Sequence, residues 1–132
     1  MVSSAQLEIE LATYIAGILG VSAPDEVHRG FVPEGADTGI GLMIVGREDT
    51  ADYDVRQYVR TAIVSGKFAN RSDAMDFIDT LESAFPVYGV VLGSSHCHSI
   101  EPDAGGGETP RQSTENGKRR WFASYALHVS AY

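Results

Sequence analysis

The sequence predicts an α+β fold: a mixed, mainly antiparallel sheet of about five or six strands, with two helices packed on one face. Three observations lead there. Residues Lys118 to Tyr132 alternate strictly, with Trp121, Ala123, Tyr125, Leu127, Val129 and Ala131 on one side and Phe122, Ser124, Ala126, His128 and Ser130 on the other. Period two is the mark of a half-buried strand. A second alternating run covers Tyr53 to Ser65, with Val55, Gln57, Val59, Thr61 and Ile63 set against Arg56, Tyr58, Arg60, Ala62 and Val64. Two other stretches repeat apolar residues at helical spacing, so each has a single face to bury against a sheet.

In chain order, Ser3 or Ser4 caps a helix that runs to about Leu19 through Leu7, Leu11, Ile15 and Ile18, and Gly20 suits its C-terminal end. A turn at Val21 to Asp25 leads to a short strand, Glu26 to Phe31. After a loop with Pro33, Gly35 and Gly39 comes the apolar strand Ile40 to Val45, then a polar turn at Gly46 to Ala51. The second helix spans about Arg71 to Ala84, capped by Asn70 or Ser72 and buried through Ala74, Phe77, Ile78 and Leu81; Pro86 ends it. Val87 to Leu92 and Ser95 to Ile100 form two strands about Gly93-Ser94. The stretch 101–117 has Pro102, Gly105 to Gly107 and Pro110 and reads as a flexible, solvated loop. The final strand closes one domain covering 1–132.

At 132 residues, a chain buries roughly two-thirds of its unfolded surface and needs no metal or disulfide to fold. Its single cysteine, Cys97, has no intrachain partner. No apolar run approaches the roughly 20 residues of a membrane helix, and Met1 to Glu10 holds two acids and no base, unlike a secretory n-region. Cytosolic synthesis is the expectation. Eighteen acids against ten Lys and Arg give a net charge of −8. That opposes general nucleic-acid binding, which works by displacing counterions with cations. It suits a wall past which DNA slides without adhering. The acids Asp49, Asp52 and Asp54 cluster mid-chain, and Lys118, Arg119 and Arg120 form the one basic cluster.

Few residues point to chemistry. His96 and His98 share one face of a strand and are weak candidates for a metal site, but a structural zinc needs four ligands and no second pair stands at metal-site spacing. Ordinary polar positions explain them as well. Cys97 points opposite to both and fits an inert thiol. Ser94 and Ser95 lack the G-x-S-x-G elbow of a hydrolase and fit a hairpin turn. The three aspartates lack the glycine and terminal glutamate of a calcium loop. No nucleotide-binding glycine motif is present, Asn70-Arg71-Ser72 reads as a helix cap, and Trp121 reads as core. No catalytic residue and no cofactor is indicated.

The whole pattern resembles the tail terminator (tail-completion, often labelled minor capsid) proteins of long-tailed phages and prophages. An N-terminal helix, Ala5 to Leu19, leads through a short strand to Ile40 to Val45. Then Val55-Arg56-Gln57-Tyr58-Val59-Arg60 is similar to that family's I-Q-V-R-V-R strand. Ser72 to Leu81 is similar to its A-x-x-x-A-x-x-I-x-x-x-L helix, and Arg120 to Val129 to its R-x-x-F-S-x-N-F-x-V strand. The 101–117 loop is longer than the pattern, and Ala126 stands where a polar residue is frequent. The resemblance implies a non-enzymatic virion protein, made in a bacterial host's cytoplasm, that forms a homo-oligomeric ring, usually a hexamer. Such a ring caps the tail tube protein, ends its polymerisation, joins the head-tail connector and lets DNA pass through its lumen; no membrane is involved. Asp49, Asp52 and Asp54 would face the lumen or a neighbour, and Lys118, Arg119 and Arg120 would supply a complementary contact. Two other readings stand beside it: another neck or head-completion protein, and a small metal- or ligand-binding domain using His96 and His98.

Overall fold

The computed structural model describes residues 3–21, 27–33, 35–52, 55–115 and 117–132, with the side chains at 47–52, 55–58, 104 and 105 left out. Its elements are α1 (Ser4–Leu19), β1 (Val27–Arg29), β2 (Gly39–Asp52), β3 (Val55–Phe68), α2 (Arg71–Ala84), β4 (Val87–Leu92), β5 (Ser95–Gly107), β6 (Arg111–Glu115) and β7 (Lys118–Ala131). The strands form one sheet in the order β1-β2-β3-β7-β5-β4, with β6 paired to β7. Among the described residues only β1 and β2 run parallel. The α+β architecture is thus as the residues indicate, with one strand more than expected among the described residues. Most of the turn placed at Val21 to Asp25 lies outside them, as do Glu26, Tyr53 and Asp54.

Both helices form where their caps and stripes direct. Ser3 Oγ accepts from the Gln6 amide at 3.1 Å, and Gly20 closes α1 in the left-handed region at φ 71°. Only glycine adopts that backbone without a steric cost from Cβ. Asn70 Oδ1 accepts from the Asp73 amide at 2.9 Å and starts α2. Leu7, Leu11, Ile15, Phe77 and Leu81 are buried. They pack on the sheet face made by Leu42, Ala62, Val64, Ile100, Tyr125, Leu127 and Val129. In the register of β3 with β7, Ala62 sits beside Leu127 and Val64 beside Tyr125, so the alternation of β7 becomes a buried and a less buried face. The opposite face carries the paired positions Thr61 and His128, Ile63 and Ala126, and Ser65 and Ser124.

Two segments depart from expectation. The polar turn placed at Gly46 to Ala51 is strand: β2 pairs with β3 from Gly39↔Lys67 to Asp52↔Val55, interrupted by a bulge between Ile44 and Gly46. β1 stops at Arg29↔Leu42 and β7 starts at Tyr58↔Ala131. Beyond Gly46 the hairpin forms an outer arm whose tip, Thr50 to Asp52 against Val55 to Gln57, is two-stranded. The sequence from Gly46 to Ala51 carries no apolar alternation and so reads as a turn.

The second departure is 101–117, expected as an open loop and found largely as strand. β5 continues to Gly107, and β6 pairs with the start of β7 from Arg111↔Phe122 to Glu115↔Lys118. The ladder to β7 steps from Pro102↔Leu127 to Gly107↔Tyr125, so β5 carries extra residues there. Gly106 sits at φ 86°, and a Cβ on it would lie 2.8 Å from the Tyr125 hydroxyl oxygen. The glycines that signal a loop serve here to pass a strand tightly over a buried tyrosine. Gly41 is held by a similar closeness, since a Cβ there would stand 2.3 Å from the Gly30 carbonyl oxygen.

Candidate functional site

The open sheet face and its ends hold the exposed groups, and a set of polar pins fixes them. Lys67, only 2% exposed, donates to the carbonyl oxygens of Pro33 at 3.2 Å and Ala36 at 3.0 Å, and pairs with the Glu115 carboxylate. One ammonium thus ties the 33–36 loop to β3 and to the end of β6. A cavity of about 510 Å3 opens beside it, between His28, Gly39, Phe68 and Asp73. Arg60, also 2% exposed, donates from Nε to Ser4 Oγ at 2.9 Å and from Nη1 to its neighbour's carbonyl, Val59 O. It anchors the start of α1 to the middle of the sheet.

Two glutamates on α1 secure the sheet's outer strands. The Glu8 carboxylate accepts from the Ile44 amide at 3.0 Å and from Arg29 Nε at 3.1 Å, which occupies the first β2 amide past the end of β1. Glu10 accepts from the Ser94 amide at 2.7 Å and the Ser95 amide at 2.9 Å, and from both serine hydroxyls. Partial burial raises the Glu10 carboxyl, but the hydrogen bonds from Ser94, Ser95 and Gln6 outweigh it and hold it at about 2. Ser94 and Ser95 are therefore hairpin residues clasped by a helix.

His96 and His98 lie exposed, while Cys97 between them is buried at 1% exposure. Their rings flank Tyr132, with centroids 5.6 Å and 4.1 Å from it. Among the described residues no group of three or more His, Cys, Asp or Glu is placed to hold a metal ion. Desolvation, and then the nearby Glu10 charge, push the Cys97 thiol up to about 11, the condition of a structural cysteine rather than a nucleophile.

The two charged clusters stand at opposite ends of the sheet. Lys118 and Arg120 open β7, beside the Phe68 end of β3, and both engage Asp37: Lys118 Nζ at 3.1 Å, Arg120 Nη2 at 3.3 Å, and Arg120 Nε to its carbonyl at 2.9 Å. The hydrogen bond and charge of Lys118, then Arg120, hold the Asp37 carboxyl below the usual carboxylate range. Arg119 is exposed. Asp49 and Asp52 belong to the β2 arm, with their side chains outside the described residues, as is all of Asp54. The 14 residues of β3 link the two ends, roughly 40 Å at the usual rise of a strand.

Lys67, Arg60, Glu10 and Asp37 escape a reading of the sequence. Arg60 sits on the apolar register of β3 beside Ala62 and Val64, which is the one signal that it is inward-facing. Nothing local marks the others.

A chain described as "Virion of native gene transfer agent (GTA) particle" shares this fold. Its TM-score is 0.62 at 14% identity, and the match covers 99% of this chain and 100% of that one. No family model matches the sequence, and no curated protein matches it with significance. At 14% identity the likeness establishes a common architecture. No helix among the described residues is long and apolar enough to cross a membrane.

Proposed function

We propose that this chain is a structural protein of a phage-like virion, and that it assembles as a ring that caps the tail tube and joins it to the head connector. The observation that carries the reading is the match with the gene transfer agent virion chain, which spans 99% of this chain and 100% of that one. The tail-terminator pattern, running from Ala5 to Val129, supplies the finer role. The net charge of −8 suits a ring that DNA crosses without adhering, and the outer part of β2, which carries Asp49 and Asp52, is the part that would line the lumen or meet a neighbour, with Asp54 next to it in sequence. Lys118 and Arg120 are engaged by Asp37 in their own chain, which leaves Arg119 as the basic residue to offer a partner. No catalytic role is part of this reading.

Deleting the coding sequence from a producing strain and imaging the particles tests it. A missing terminator leaves tails of uncontrolled length without heads. Tails of normal length that lack heads would instead indicate a neck or head-completion role, and normal particles would contradict both.

A further inference from the structure

We infer that neighbouring copies of this chain join edge to edge, the outermost strand β4 of one copy pairing with the outer half of β2 in the next. The inference rests on the ring reading and names the surfaces that would build it. Among the described residues β4 ends the sheet and has β5 on one side only. Its sequence, Val87-Tyr88-Gly89-Val90-Val91-Leu92, holds no charge and no proline, and Tyr88 is 66% and Val91 58% exposed. Soluble proteins guard such edges with lysine, proline or a covering element, because an open apolar edge recruits other strands. In a chain of net charge −8, leaving this strand without a single charge marks it as a surface made to be covered.

The partner edge is on the same molecule. β1 covers β2 only from Ile40 to Leu42, and Glu8 takes the Ile44 amide. Beyond that, β2 from Gly46 to Asp52 pairs only with β3 among the described residues. The two edges match in length, six residues in β4 against seven in this part of β2. Its tip, Thr50 to Asp52 against Val55 to Gln57, lies beyond the end of β7 and is two-stranded, an arrangement that is marginal in water, and a neighbour's β4 would give that tip its third strand.

The geometry also fixes the kind of assembly. Because the two edges are different strands, their pairing is head-to-tail, the type that closes into rings. Four antiparallel steps separate β2 from β4, so the two strands point the same way. A rotation axis along the strands therefore brings them together as a parallel ladder.

Size exclusion with light scattering on the full chain tests the inference, comparing wild type with edge variants at one high concentration. Val91→Lys guards β4 at an exposed position. Thr50→Pro and Ala51→Pro probe β2: consecutive strand amides point to opposite sides, so one of the two spares the ladder with β3 and removes only an outward donor. The expected result is a closed wild-type species larger than a dimer and a monomer for each folded edge variant. An equimolar mixture of Val91→Lys with the folded proline variant should give a two-subunit species, since each then retains one sound edge of a different kind. Hydrogen exchange gives a second readout, with the amides of Val87 to Leu92 protected in the wild-type assembly and exposed in the Val91→Lys monomer. Val91→Lys assembling like wild type would overturn the inference, as would a mixture that stays monomeric or β4 amides that exchange fast in the assembly. A wild-type chain that is monomeric at that concentration would also overturn it, while the virion reading keeps its own separate test in the particles.

Discussion

Lys67→Met is expected to destabilise the fold by about 3 kcal/mol, the scale of breaking one side of a buried ion pair, with a melting temperature lower by roughly 10 °C for a chain of this size. The methionine fills nearly the same volume but donates nothing. It takes the lysine donor from the Ala36 carbonyl oxygen, leaves the Pro33 carbonyl oxygen with the Ala36 amide, and leaves the Glu115 carboxylate, 21% exposed, without the Lys67 cation. The Phe122 ring, 5.9 Å from Nζ, loses a cation as well. The damage should concentrate where the ammonium joins three segments, so hydrogen exchange at β6 and the 33–38 loop should rise before the rest of the sheet loosens. A loss under about 1 kcal/mol, ordinary for a surface change, would show that Lys67 is not the tie the geometry makes it.

Glu10→Ala carries the second large effect, about 2 kcal/mol at neutral pH, from the loss of charge-assisted bonds to two backbone amides and two hydroxyls. The sign of its pH dependence follows from the carboxyl's position. Its folded value of about 2 lies below the ordinary value of 4.5, so the ionised group stabilises the folded state. That stabilisation is full above the unfolded value and is lost as the pH falls towards the folded one. Wild type and Glu10→Ala should therefore differ most above about pH 5 and converge as the pH approaches about 2. Melting curves at neutral and strongly acidic pH measure this directly. A gap that is constant with pH would mean that the carboxylate's charge does not matter and that only packing was removed.

How far the sequence could be read depended on whether a residue's role was local. The two helices, the Ser94 hairpin and β7 were legible because caps, stripes and period-two alternation act within a few residues. The outer half of β2 was not, because Gly46 to Asp52 carries no apolar alternation and is held as strand by its backbone ladder with β3. β6 was hidden by the two prolines and the glycines of 101–110, which allow a loop but also allow a strand to pass over Tyr125. The polar pins were the least legible of all: Lys67 meets Pro33, Ala36 and Glu115 from across the chain, and Glu10 meets Ser94 and Ser95 more than eighty positions away. The charged clusters were visible as clusters, yet their separation along β3 and the pairing of Lys118 and Arg120 with Asp37 belong to the tertiary structure alone.

Locating the chain in purified particles tests the virion reading most directly. Antibody-gold labelling with electron microscopy, on particles released by a strain that carries the gene, should place the label at the head-tail junction. Label on the tail alone or the head shell would contradict the capping role, and particles free of the chain would contradict a virion role altogether.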